Sequence, residues 1–245
     1  MDRTPADSNA PFSASLLTLV EAYLFDRPDV LSVEHMTTLA LAADELNDPH
    51  LTWDGRTGTL LHRACADGRL VWVNALLAHG ADAWQLCPEG LPPLAWAAQA
   101  HQTATAMRIM MQPGAPSAPP PWASTTLFHT ILAQPDTALV EAFLHWWMRE
   151  GDSFSLPSYD RPDAQGAFPT HLAAQRIERG AETLDRLIEL GCSAHAQDRY
   201  AMTPFQRLRQ TQTLVTLPPK RLKALVPTAA NRSQFRRAAV RRRPS

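Results

Sequence analysis

The chain has 245 residues, 45% of them hydrophobic, with 23 basic and 24 acidic side chains and a formal net charge of −1. Such a chain holds one repeat domain or two small globular ones without unusual help from staples. The three cysteines, Cys65, Cys87 and Cys192, lie far apart with no CxxC pair, which excludes a disulfide framework or a thiolate zinc site and points to a reducing compartment.

Met1 to Ser15 is polar, and residues 1–13 read as a flexible N-terminus. The apolar run that follows, Leu16 to Phe25, is far too short to span a bilayer, so neither a Sec signal nor a membrane anchor is expected. The Ser-, Thr-, Asn- and Pro-rich opening from Thr4 to Ser15 is compatible with a type III secretion signal. Two amphipathic segments come next, about residues 14–25 and 34–47, and residues 14–53 read as an N-terminal helical cap or a decayed repeat.

Self-similarity then sets in. The run Thr59-Leu60-Leu61-His62-Arg63-Ala64-Cys65 is echoed from Pro92, Thr126, Phe168 and Thr203, with spacings of 33, 34, 42 and 35 residues. The first copy also holds Asp54, Gly55, Gly68, Val73, Leu76, Leu77 and Gly80-Ala81-Asp82. The fourth keeps Asp163, Gly166, Pro169, His171, Ala173, Ala174, Leu187 and Gly191, and the fifth opens with Asp198, Thr203 and Pro204. In the middle, Ala95 stands where histidine recurs, and Gln134 where a helix-breaking glycine recurs.

Each residue type has a task at its position. A threonine at the start caps a helix, proline suits the first helical turn, and paired alanines let helices approach closely. Gly80 ends the second helix where a left-handed cap is needed, and its apolar stripe is Val71, Val73, Leu76 and Leu77.

This period and heptapeptide resemble the ankyrin repeat, whose pattern is TPLHxAA, then a glycine, then a leucine-rich second helix ending in GAD. The resemblance implies an all-α fold: an ankyrin-repeat solenoid of helix-turn-helix repeats with short hairpin or loop fingers and helical caps. About five repeats occupy residues 54–226, with a last short helix from Pro218-Pro219 to about Val226 covering the far end. The histidine position, held by His62, His129 and His171, is the one where imidazole ties hairpin to helix in that family.

Two insertions interrupt the period. Pro113 to Thr125 carries Pro113, Pro116, Pro119, Pro120 and Pro121 before Trp122, a composition that favours stiff polyproline II. Gly151 to Gly166 places Phe154, Leu156 and Tyr159 among acidic residues. Together they nominate Trp122, Phe154 and Tyr159 as aromatic anchors for a protein partner. The resemblance nominates a concave face of Arg56, Glu89, Leu91, Gln99, Arg199, Tyr200 and Met202, with Gln175 beside them and Trp96 more suited to packing between repeats.

The last stretch, residues 227–245, is a basic tail. From Lys220 onward there are nine basic residues and no acid, which leaves 14 basic against 24 acidic residues in 1–219, or about −10. Arg236, Arg237, Arg241, Arg242 and Arg243 form a basic patch suited to nucleic acid, to targeting, or to lying on the acidic body. Lysine is confined to Lys220 and Lys223, which fits a GC-rich, bacterial coding genome.

No HExxH, GxSxG, GxxxxGK[ST] or GxGxxG signature is present, so no enzyme, cofactor or metal is expected. The leading expectation is a cytoplasmic protein-interaction module, extended to a bacterial effector secreted into a host cell, with no membrane association. An F-box-like variant at residues 16–47 lacks the usual Leu-Pro opening. A nucleic-acid-associated or nuclear regulator using the arginine tail is a second reading. An immunity- or chaperone-type binding partner is a third.

Overall fold

The computed structural model describes residues 14–24, 26, 46–114, 126–150 and 159–210, and these are mostly helical, with ten helices and one two-stranded hairpin. Only residues 46 and 47 of the expected segment at 34–47 are described, and the segment at 218–226, the basic tail and both insertion cores lie outside the described residues. The chain divides into two units, residues 1–117 and 118–245.

In the first unit, α1 (Ala14–Leu24) precedes the hairpin β1 (Leu51–Trp53) and β2 (Arg56–Gly58). Its strands are antiparallel with Leu51 opposite Gly58 and Trp53 opposite Arg56. Asp54 and Gly55 both have positive φ, 48° and 80°, as a two-residue turn of this hand requires. Two helix pairs follow: α2 (Leu60–Ala66) with α3 (Leu70–Ala78), and α4 (Pro93–Gln99) with α5 (Thr103–Met110). Tyr23 of α1 meets Trp72 at 5.1 Å between rings and donates its hydroxyl to Asp67 at 2.7 Å, so α1 covers the outer side of the first pair.

Short side chains set how closely the pairs pack. Ala64, Cys65, Ala95, Ala97 and Ala98 are fully buried where α2 lies on α4, and Thr105 donates across to the Cys65 carbonyl at 3.0 Å. Helix ends are equally specified. The Gly80 N–H bonds to Leu77 and the Ala81 N–H to Leu76, a six-to-one and five-to-two closure that needs the positive φ of 89° found at Gly80. Gly191 and Cys192 repeat that closure on Ile188 and Leu187.

The second unit contains α6 (Leu127–Leu132), α7 (Thr137–Glu150), α8 (Pro169–Gln175), α9 (Gly180–Glu189) and α10 (Pro204–Gln210). Helix α8 packs on α6, α9 and α10. Its aromatic core joins Phe128, Phe143, Trp146, Trp147 and Tyr159, with Phe128 and Trp147 edge to face at 4.6 Å. Tyr159 is 2% exposed, 4.9 Å from Trp147 between rings. That corrects its expected place as a surface anchor, because an aromatic preceding the helix-pair start gains more from this cluster than from water.

Where the middle of the sequence lacks the expected glycine, another side chain closes the helix. Arg176 donates from Nη1 to the Leu132 carbonyl at 3.1 Å and to the Gln134 carbonyl, so a cation from the neighbouring turn satisfies the open end of α6.

Candidate functional site

One bonding pattern recurs through both units. The Thr59 N–H and hydroxyl donate to His62 Nδ1 at 3.1 and 2.8 Å, while the Thr59 oxygen accepts the His62 N–H. Thr126 and His129 repeat the two donations, and the Phe168 N–H donates to His171 Nδ1. With Nδ1 an acceptor, the proton sits on Nε2, which donates to a carbonyl of the following helix pair: Leu91 from His62 at 3.1 Å, Ala167 from His129 at 3.0 Å, and Met202 from His171 at 2.8 Å. The imidazole therefore ties one pair to the next, beyond the hairpin-to-helix tie that the resemblance implies.

Burial holds these rings neutral. It pushes His62 down to about 4, against the backbone bond to Leu91, and moves His129 and His171 in the same direction. Burial likewise raises the thiols, with Cys192 pushed up to about 12. Among the described residues, no three or more His, Cys, Asp or Glu side chains are grouped to hold a metal, and no helix is long and apolar enough to cross a membrane.

The carbonyls fixed by the histidines belong to the connecting fingers, which carry most of the described candidate residues. In the first unit, Arg56 follows the hairpin turn, lies 3.8 Å from the Trp96 ring centroid, and donates Nη2 to Gln99 Oε1 at 2.8 Å. Trp96 is 2% exposed and stacks edge on against His62, a packing role. Glu89 is exposed on the next finger and draws a hydrogen bond from the Cys87 thiol. Leu91 is 5% exposed, which removes its side chain from the expected surface: it fills the space below the finger while its carbonyl serves His62.

In the second unit two fingers stand on one pattern. Asp163 accepts from Gln165 and Ala167 N–H groups, and Asp198 from Tyr200 and Met202, each at 2.8 to 3.0 Å. The positive φ falls at Gly166 in one and Ala201 in the other. Asp198 is further paired with Arg207 through Nε at 2.8 Å and Nη2 at 2.5 Å. Burial works to raise its pKa, but the Arg207 bond and the two backbone donors outweigh it and hold the carboxyl below the usual range. Arg199 reaches from the second finger to Gln165 Oε1 on the first and to the Tyr200 hydroxyl. Tyr200 is 61% exposed, with the Arg199 and Arg207 guanidiniums 4.7 and 5.3 Å from its ring. Met202 is half-buried, and its carbonyl serves His171.

The structure thus brings Arg56 to Gln99, and Arg199 to Tyr200. It adds Gln165 and Arg207, which lie at finger and helix positions with no special composition to mark them. Trp122, Phe154, Arg236, Arg237, Arg241, Arg242 and Arg243 lie outside the described residues.

A cavity of about 530 Å³ opens at the other end of the second unit, between the short turns after α6 and α8. Leu132, Pro135, Leu172 and the 87% exposed Ile177 line it beside Gln175 and Glu178. The sequence carries a trace of it in the turn after α8, which is longer than the turn after α2. Searched against protein-family models and curated protein sequences, the chain matches none of them.

Proposed function

We propose that the chain is an ankyrin-type repeat protein that binds another protein through its fingers and the adjoining face of its first helices, and catalyses no reaction. The observation that carries this reading is the histidine bond to a finger carbonyl, which recurs from three helix pairs, those opened by α2, α6 and α8. It supports a repeat architecture in which the fingers are fixed in place while their tips stay exposed. Fixed backbone beneath exposed arginine and tyrosine side chains suits recognition, because less motion is lost on binding. Delivery into a host cell as a bacterial effector is part of the proposal and draws its support from the composition of residues 4–15.

The test is site-specific photo-crosslinking in lysate. A benzophenone amino acid placed at Tyr200 or at Glu89 is expected to trap one discrete partner band. The same group at Val71, 64% exposed on α3, is expected to trap none. Equal capture from Val71, or none from either finger, would sink the proposal.

A further inference from the structure

Four arginines of the described residues are matched to carboxylates, whereas Arg108 is held by the Asn74 amide oxygen and Arg176 by backbone carbonyls. Arg63 is matched to Asp54 and Asp67, Arg69 to Asp26, Arg179 to Glu141 and Glu182, and Arg207 to Asp198. Arg56 and Arg199 are held instead by neutral groups. Each gives one N–H to a glutamine carbonyl oxygen, on Gln99 or Gln165, and each lies against an aromatic ring, Trp96 or Tyr200. Neither has a carboxylate within 4 Å among the described residues. The same device therefore occurs once in each unit, at the same kind of place: a finger tip or the residue beside it.

Its chemistry is specific. A guanidinium matched to a carboxylate has spent its charge within the fold, whereas one fixed by an amide oxygen and a ring keeps it. Arginine offers five N–H donors in a rigid fork, and here only one or two are drawn into the chain. The remaining donors point to a planar, two-oxygen anion, and the side-chain order that normally opposes such a bond is already in place.

From this we infer that Arg56 and Arg199 are receptor sites for Asp or Glu carboxylates on an acidic segment of a protein partner. The inference rests on the finger-binding function proposed above and gives its partner a chemical class.

Titration of the full chain with a glutamate-rich peptide, read on arginine Nε–Hε signals by NMR, tests it. Signals are assigned with Arg56→Gln and Arg199→Gln, and far-UV circular dichroism checks that both variants keep the fold. The Arg56 and Arg199 signals are expected to move and saturate, and each glutamine variant to weaken peptide binding about two- to fivefold, the range for an ion pair at an interface rim. Arg56→Lys, which keeps the charge and loses the fork, is expected to fall between.

Movement confined to the tail arginines would overturn the inference. So would a response of these two signals to single-stranded DNA but not to peptide, which would assign the site to nucleic acid. Finger crosslinks that persist in both glutamine variants, with no peptide response, would remove the carboxylate assignment and leave finger binding standing. Loss of the finger crosslinks in the unmodified chain would remove the function itself.

Discussion

Lowering the pH should weaken the first unit through His62, and by a predictable amount. In the folded chain the ring is fully buried, its Nδ1 already accepts two donors, and burial depresses its pKa from an ordinary 6.5 to about 4. The unfolded chain takes up a proton near 6.5 while the folded chain does not, so protons bind preferentially to the unfolded state between those values. Stability contributed by the neutral ring is therefore complete above about pH 6.5 and declines as pH falls to about 4. A separation of roughly 2.5 pH units at 1.36 kcal/mol each gives about 3 kcal/mol, a sizeable share of a marginally stable domain. The fifth repeat supplies the control, since Gln206 stands at the histidine position and its Oε1 accepts the Thr203 N–H at 2.7 Å. His62→Gln should keep that acceptor, lose the bond to Leu91 at a cost of about 1–3 kcal/mol at neutral pH, and no longer titrate. Urea denaturation of both proteins, followed by tryptophan fluorescence in steps from pH 7.5 to 4, measures the difference. Carboxylates titrate alike in both, so the unsubstituted chain should lose about 3 kcal/mol relative to the variant as the pH falls, enough for the two curves to meet or cross. Curves that stay parallel would refute the reasoning.

Four further outcomes follow from the packing. Asp198→Ala leaves Arg207 and two backbone N–H groups unpaired and should lower stability by about 3–5 kcal/mol, seen in the urea midpoint, while Tyr200→Ala should change it by less than about 1. Gly80→Ala forces a side chain onto a φ of 89° and should cost about 1 kcal/mol in the same assay. Tyr159→Ala should cost about 3–5 kcal/mol by opening the aromatic cluster. Loss of binding in that alanine variant would report on folding and say nothing about contact. Arg176→Gln removes the cation that closes α6 and should accelerate amide hydrogen exchange at the end of that helix, with little change at α9.

Much of the local structure was legible because it is written in residues with narrow conformational uses. Thr59, Pro93, Pro169 and Pro204 mark helix starts, and Gly80 and Gly191 mark helix ends, each where the sequence pattern puts it. Histidine was legible only in part: the bond to Thr59 is local, whereas its partner Leu91 is 29 residues on and only the packed pairs bring it near. The candidate surface was harder to read. Tyr159 and Leu91 sit in stretches that look like loops, and loop composition does not disclose which way a side chain turns. Burial is decided by the cluster around Phe128 and Trp147 for one, and by the space under the finger for the other. Gln134 looked like decay of the repeat, yet Arg176, 42 residues away, performs the closing task. No rule of local sequence anticipates a cap supplied from a neighbouring turn.

The histidine bonds have a consequence for how such a chain can change over time. Their acceptors, Leu91, Ala167 and Met202, each lie two residues before the proline that opens the next helix, although the separations from the donor are 29, 38 and 31 residues. In these three connections an added residue therefore falls upstream of a fixed mooring, and the following helix starts from the same point whatever the length of the segment before it. Length in the connections and order in the scaffold are thereby uncoupled, so a lineage can lengthen, replace or redecorate what the fingers present without renegotiating the packing beneath.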